Sequence, residues 1–173
     1  GMGIGLAICQ SIIAEHGGVP VVTRVGHSFI KATMAQTGAV FGGEHSGHFY
    51  FRDFWRADSG MLAAMNVLSV FGATPVGTSL SDVMAKYERY HATGEINSEV
   101  ADVAGSLAAV RDAFADRGEV DELDGLTVSG PDWWFNVRPS NTEPLLRLNA
   151  EAADEDAMAA LRDDVLAVIR GGS

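Results

Sequence analysis

From Leu145 to Ala152 the chain alternates without interruption: Leu146, Leu148, Ala150 and Ala152 fall on one side, and Leu145, Arg147, Asn149 and Glu151 on the other. A period of two places successive side chains on opposite faces of a strand, so this stretch predicts a half-buried strand. Such strands belong to antiparallel sheets with one face covered and one open; strands of parallel sheets are buried on both sides. Residues 126–128 and 133–138 predict two more strands joined by a Gly130-Pro131-Asp132 turn, and residues 90–96 another. Residues 100–117 predict a helix with Val103, Leu107, Val110 and Phe114 inward. Asp154 predicts the cap of a last helix that buries Met158, Leu161, Val165 and Ile169. The order β-α-β-β-β-α describes an α+β unit, a small antiparallel sheet with helices packed on it.

The first half of the chain is patterned differently. Residues 4–16 predict a helix with Ile8, Cys9, Ile12 and Ile13 on one face, ended by Gly17-Gly18. The β-branched run Val19-Pro20-Val21-Val22-Thr23 predicts a buried strand. Ser28 is the expected N-cap of a helix over 29–37, and residues 39–41 predict a strand. Asp58-Ser59-Gly60 opens a helix on which Met61, Leu62, Met65, Leu68 and Phe71 recur at helical spacing. Pro75 and Gly77 mark a linker, after which Ser79-Leu80-Ser81-Asp82 fits a capping box. Helices alternating with short strands make this an α/β unit, and the expected division is 1–77 and 78–173.

Charge divides the chain at the same place. Residues 1–78 are electrically neutral, so the whole formal charge of −11 falls on the remainder. That balance argues against nucleic acid or an anionic membrane as partner, and an anion bound in the second half needs a local cradle. The single cysteine, Cys9, leaves no disulfide framework and reads as a core thiol. No apolar run approaches the ~20 residues of a membrane span, and no basic segment precedes the first apolar one, so neither anchor nor leader is expected. A cytoplasmic location follows as the default.

Two stretches carry chemistry. In Gly42-Gly43-Glu44-His45-Ser46-Gly47-His48, glycines flank a carboxylate, a hydroxyl and two imidazoles, between a strand and the aromatic Phe49-Tyr50-Phe51. Glu44 and Ser46 suit a ligand with several hydroxyls, since a carboxylate accepts from two neighbouring hydroxyls and a serine donates or accepts. His48 would carry a proton near neutral pH, or Glu44 would serve as a base. The plain alternative is a polar turn. Ser46 lacks the glycine two residues before it that a nucleophile elbow requires. His27, Glu44, His45 and His48 are zinc-ligand types at a spacing that matches no standard zinc pattern. His27 and Lys31, four apart, share a helix face and either line the same ligand or form a surface pair.

The second stretch, Arg138-Pro139-Ser140-Asn141-Thr142-Glu143-Pro144, lies between two strands. Arg138 offers a planar fork of N–H donors; Ser140, Asn141 and Thr142 add side-chain donors, and a tight turn adds converging backbone N–H groups. Arg147, on the polar side of the next strand, would support it. This composition suits a phosphate monoester, with an ordinary proline-bounded hairpin turn as the competing reading.

Together the two stretches resemble the α-D-phosphohexomutase family, its bacterial phosphomannomutase/phosphoglucomutase branch in particular. Gly43 to His48 resembles the sugar-recognition loop of the family's third domain, and Arg138 to Pro144 the phosphate-binding loop of its fourth. Gly26-His27-Ser28-Phe29-Ile30-Lys31 and Asp58-Ser59-Gly60 resemble further family segments. The resemblance covers nearly the whole chain and implies a hexose phosphate as ligand. It implies an isomerase that interconverts hexose 1-phosphate and hexose 6-phosphate through a bisphosphate, using a phosphoserine and a Mg²⁺ loop carried by the first two domains. Glu44 and Ser46 would hold sugar hydroxyls. Arg138, Ser140, Asn141 and Thr142 would hold the phosphate that is not reacting. His27 and Lys31 would line the cleft, and His48 would carry a proton.

Neither a phosphoserine loop nor an acidic metal loop is found in the 173 residues, and the third domain's first strand has no match, so its mixed sheet is expected to be incomplete. The expectation is therefore a C-terminal portion, third and fourth domains, that binds substrate, holds no cofactor of its own and does not turn over alone. Its partners would be the N-terminal half of the enzyme or a second copy meeting the incomplete sheet. The competing functions are a stand-alone sugar-phosphate binding module and a metal-dependent hydrolase built on the histidine loop.

Overall fold

A computed structural model of the chain describes residues 13–14, 16–44, 46–85, 90–140 and 143–171. The chain divides into two compact units, Val22–Glu88 and Arg89–Ser173, with Gly1–Val21 grouped with the second. The helix expected over 4–16 falls almost wholly outside the described residues.

In the first unit, helix α1 (His27–Thr37) leads into three short strands, β1 (Phe41–Gly43), β2 (Phe49–Phe51) and β3 (Ala57–Asp58). They pair in that order as an antiparallel sheet. Ile30 and Met34 of α1 press on Tyr50 of β2, and these three are the unit's buried core. The contact explains Gly42: a Cβ there would stand 2.9 Å from Ile30 Cγ2 and 3.2 Å from Met34 Sδ. Gly42 is therefore a strand residue under a helix, Gly43 is an exposed strand residue, and β1 begins two residues later than its expected start. The turn itself uses Gly47, whose φ of 83° is left-handed.

Two expectations fail in the first half of the chain. Val19 to Thr23 forms no strand, and Val19, Val21 and Val22 are exposed. A strand exists only by pairing, and among the described residues none pairs with this run, so β-branched composition alone does not order it. Ser28 does not cap α1; the cap position is Gly26, with no side-chain hydrogen bond. Helix α2 (Gly60–Gly72) forms as expected, with Leu62 N–H donating to Ser59 Oγ at 3.2 Å, but none of its residues is buried. Met61 is 75% exposed and Leu68 64%. The spacing gave the helix correctly, and among the described residues its apolar side is left largely uncovered. The Ser79–Asp82 capping box is present and opens a short helix, α3 (Leu80–Met84).

The second unit is the α+β layer that the alternation of β9 (Leu145–Ala152) implied. Its sheet runs β4 (His91–Ala92), β9, β8 (Trp133–Pro139), β7 (Leu126–Ser129), β6 (Glu119–Asp121), with β5 (Ile96–Glu99) also on β9. All pairings are antiparallel. The single strand expected over 90–96 is two, β4 and β5, broken at Thr93-Gly94-Glu95, and β6 is an additional edge. Thr93 stitches the break to β9: its N–H donates to Ala150 O at 2.9 Å and its Oγ1 accepts from Ala150 N at 3.0 Å.

Alternation decides the two faces. Leu126, Val128, Phe135, Val137, Leu146, Leu148 and Ala150 point to one side, where helices α4 (Val103–Phe114) and α5 (Glu155–Gly171) cover them. Phe114 of α4 meets Phe135 edge-on at 4.9 Å between ring centres. Asp102 caps α4 through Gly105 N–H at 3.0 Å, and Asp154 caps α5 through Ala157 N–H at 2.8 Å. The other face is polar and open. On it Trp134 Nε1 donates to Glu151 at 2.9 Å, and Asn136 Nδ2 donates to Thr127 Oγ1 at 3.0 Å.

Candidate functional site

The two stretches fall in different units and are described separately. In the first, the residues between β1 and β2 make a tight connection: Glu44 N–H donates to His48 O at 2.9 Å, and Gly47 N–H donates to Glu44 O at 3.0 Å. Ser46 and His48 stand exposed at its tip, and His45 lies outside the described residues.

The Glu44 carboxylate is held from below. Tyr50, alternating inward on β2 and only 1% exposed, donates its hydroxyl to Glu44 Oε1. Burial first, and the Glu44 carboxylate second, push the Tyr50 phenol above its usual range, so it stays a donor. One carboxylate oxygen is thus anchored while the group remains only partly covered.

His48 is held from the side. Its Nδ1 donates to Asp58 Oδ2 at 2.6 Å, across the β2–β3 pairing that sets Tyr50 opposite Asp58. Asp58 Oδ1 also accepts from Phe49 N–H at 3.0 Å. The hydrogen bond to Asp58 raises the His48 pKa above its ordinary 6.5. The same bond, with the Phe49 N–H, lowers Asp58 below its ordinary 3.8, and the charge of Lys31 adds to the lowering. Nδ1 being committed to Asp58, Nε2 is the nitrogen left to exchange a proton. Lys31 is therefore within electrostatic reach of this corner, whereas His27, one turn earlier, stands exposed. Sequence reading missed Asp58 and Tyr50 as site residues. Asp58 reads as part of a helix start, yet Ser59 supplies the cap and the Asp58 side chain turns to His48.

In the second unit Arg138 and Arg147 are direct partners across β8 and β9, on the open face. The 140–144 connection begins with Ser140 N–H donating to Leu145 O at 2.9 Å, which closes the hairpin. Asn141 and Thr142 lie outside the described residues. A residue with no signal in the sequence joins the pair: Glu95, from the break between β4 and β5. Its Oε2 accepts from Arg138 Nη2 at 3.2 Å, and its Oε1 lies 3.3 Å from Arg147 Nη1. Of the residues expected to hold an anion, the structure brings Arg138 and Arg147 together, with a carboxylate on both, and places Ser140 at the start of the adjoining turn.

Among the described residues no group of three or more His, Cys, Asp or Glu side chains is placed to hold a metal ion; His45, one of the four zinc-ligand types in the loop and helix, lies outside them. Nor is any described helix long and apolar enough to cross a membrane.

Comparison with known proteins agrees with this organisation. Residues 7–90 match the family model for phosphoglucomutase/phosphomannomutase, alpha/beta/alpha domain III, and residues 95–168 the model for the C-terminal domain of the same proteins. The chain therefore belongs to the phosphoglucomutase/phosphomannomutase family and corresponds to its third and fourth domains. It is 42% identical over 164 residues to a phosphomannomutase of Salmonella typhimurium, covering 92% of this chain and 35% of that one. A phosphomannomutase of Methanocaldococcus jannaschii is 41% identical over 151 residues, 87% of this chain and 33% of the relative. A crystal structure of a phosphoglucomutase/phosphomannomutase family protein from Burkholderia thailandensis superposes with a TM-score of 0.77 at 29% identity, over 95% of this chain and 35% of that one. The chain spans about a third of the length of the curated relatives it matches.

Proposed function

We propose that these residues form the substrate-binding part of a phosphohexomutase that interconverts hexose 1-phosphate and hexose 6-phosphate, of mannose or glucose. The observation that carries the reading is the pairing of Arg138 and Arg147 beside the 140–144 turn, in a unit of net negative charge where two adjacent cations need a reason. A phosphate gives one, because each guanidinium offers a planar fork to its oxygens. Ser140, Asn141 and Thr142 complete the cradle in this reading.

In the first unit, Glu44 and Ser46 take sugar hydroxyls. Tyr50 supports this by fixing one oxygen of Glu44 and leaving the other to accept. His48, oriented by Asp58, exchanges a proton through Nε2, and Lys31 adds positive charge nearby. Binding energy is used for positioning, as phosphoryl transfer requires. The phosphoserine and Mg²⁺ of the reaction belong to other domains in this reading, and no step is assigned here to the metal. The partner of the chain is the rest of the enzyme or, through the short sheet and exposed α2, a second copy. A concentration-independent monomer in sedimentation would count against the second copy.

The test is titration of the chain with mannose 1-phosphate and glucose 1-phosphate, repeated with Arg138→Ala. Binding that the substitution removes is the expected result. Equal binding by the variant overturns the phosphate assignment, and mutase turnover by the 173-residue chain, free of host enzyme, overturns the claim that it binds without catalysing.

A further inference from the structure

Cross-strand partners of like charge repel, and Arg138 and Arg147 are such partners. Glu95 relieves the repulsion by giving one oxygen to each, at 3.2 and 3.3 Å. It is delivered by backbone as much as by its own side chain. Thr93 is fastened to Ala150 in both directions, and Gly94 turns at a left-handed φ of 66°, which sets Glu95 over the two guanidiniums.

The clasp leaves the arginines incompletely used. Each gives one terminal nitrogen to Glu95, and Arg147 Nε is buried without an acceptor among the described residues. A carboxylate has two oxygens to offer; a phosphate has three, with more charge, and fits two forks better. A free singly charged anion offers no more than Glu95 already does, and Glu95 has the advantage of being tethered.

We propose that Glu95 is a displaceable internal ligand of the Arg138–Arg147 pair, a specificity-determining residue that keeps weak singly charged anions out and yields to a phosphate dianion. This rests on the reading of Arg138 as a phosphate-binding residue. Glu95 acts against the wrong ligand by occupying the site, so specificity comes from a competitor built into the fold.

The experiment titrates the 173-residue chain with inorganic phosphate and with formate, at fixed ionic strength and a pH where phosphate is a dianion. Arginine Nε–H signals are followed by NMR in the native protein, in Glu95→Gln and in Arg138→Ala. Glu95→Gln is expected to bind phosphate about tenfold more tightly and to gain formate binding, as loss of a partly exposed ion-paired competitor should give. A purely structural loss would weaken both. If the native chain binds phosphate through Arg138 and Glu95→Gln binds it equally or less well, the inference falls and the phosphate reading stands. If neither the native chain nor folded Glu95→Gln responds to phosphate, both fall. A measurement on the native chain guards against a variant that does not fold: the Glu95 carboxyl carbon signal should move toward that of a free glutamate as phosphate is added, and a stationary signal overturns the inference.

Discussion

His48 Nδ1 and Asp58 Oδ2 lie 2.6 Å apart across two strands, and each changes the other's ionisation: the histidine is raised and the aspartate lowered. Asp58→Asn is therefore expected to bring His48 back down toward 6.5, read by NMR titration of its ring protons; an unmoved midpoint would refute the coupling. The sign for stability follows from linkage. His48 contributes fully below its unfolded value of 6.5 and loses the contribution as pH rises through its higher folded value. Asp58 contributes fully above 3.8 and loses it as pH falls through its lower folded value. The native chain should exceed Asp58→Asn in stability most between those two values, and least at the extremes of pH.

Tyr50 joins the site to the core, with a buried ring and a hydroxyl on Glu44. Tyr50→Phe keeps the packing and removes the donor. A hydrogen bond to a charged group contributes about 1.5–3 kcal/mol, and Glu44's partial exposure puts the expected loss at the lower end, about 1.5 kcal/mol by urea unfolding.

Gly42→Ala tests whether the glycine answers to packing or to turn chemistry. A Cβ would meet Ile30 Cγ2 at 2.9 Å, so the substitution should destabilise by about 1–3 kcal/mol through overpacking. Gain of stability from Gly42→Ala alone would contradict the close approach.

In the second unit Phe135 is fully buried against Phe114. Phe135→Ala should destabilise by about 3–5 kcal/mol, whereas Asp102→Ala, which removes only the α4 cap, should cost about 1 kcal/mol. Thermal unfolding of the two variants should therefore separate clearly; similar midpoints would mean that the aromatic pair does not hold the core.

Why was the second unit legible in sequence and the first only partly so? In the second, each strand is covered on one side by helices of the same unit, so the period of two in β9 and the stripe on α4 report burial that the unit itself completes. In the first half of the chain, Val19 to Thr23 and Met61 to Phe71 carry the hydrophobic pattern of buried elements yet stay largely exposed among the described residues. Pattern reports that a segment is apolar on one side, not what covers that side. The candidate residues Glu44, Ser46, His48 and Arg138 stand out in the sequence because polar groups are concentrated there in short stretches. Their supports were not. Asp58, Tyr50 and Glu95 arrive by strand register and by a break in a strand, relations that spacing along the chain does not encode.

Strands β6 to β9 follow one another as neighbours, while β4 and β5 wait for β9, which lies some fifty residues further on. During synthesis the earliest strands of this unit must emerge with no partner in their own unit, and they stay so until the last strand has been made. Until then Thr93 has no Ala150 to grip and Glu95 no arginine pair to hold. The Glu95–Arg138–Arg147 cluster is therefore among the last features of its unit to come into being. A nascent chain stopped before β9 should keep at most the β6–β7–β8 meander and lack both the pairing of β4 and β5 and the arginine cluster.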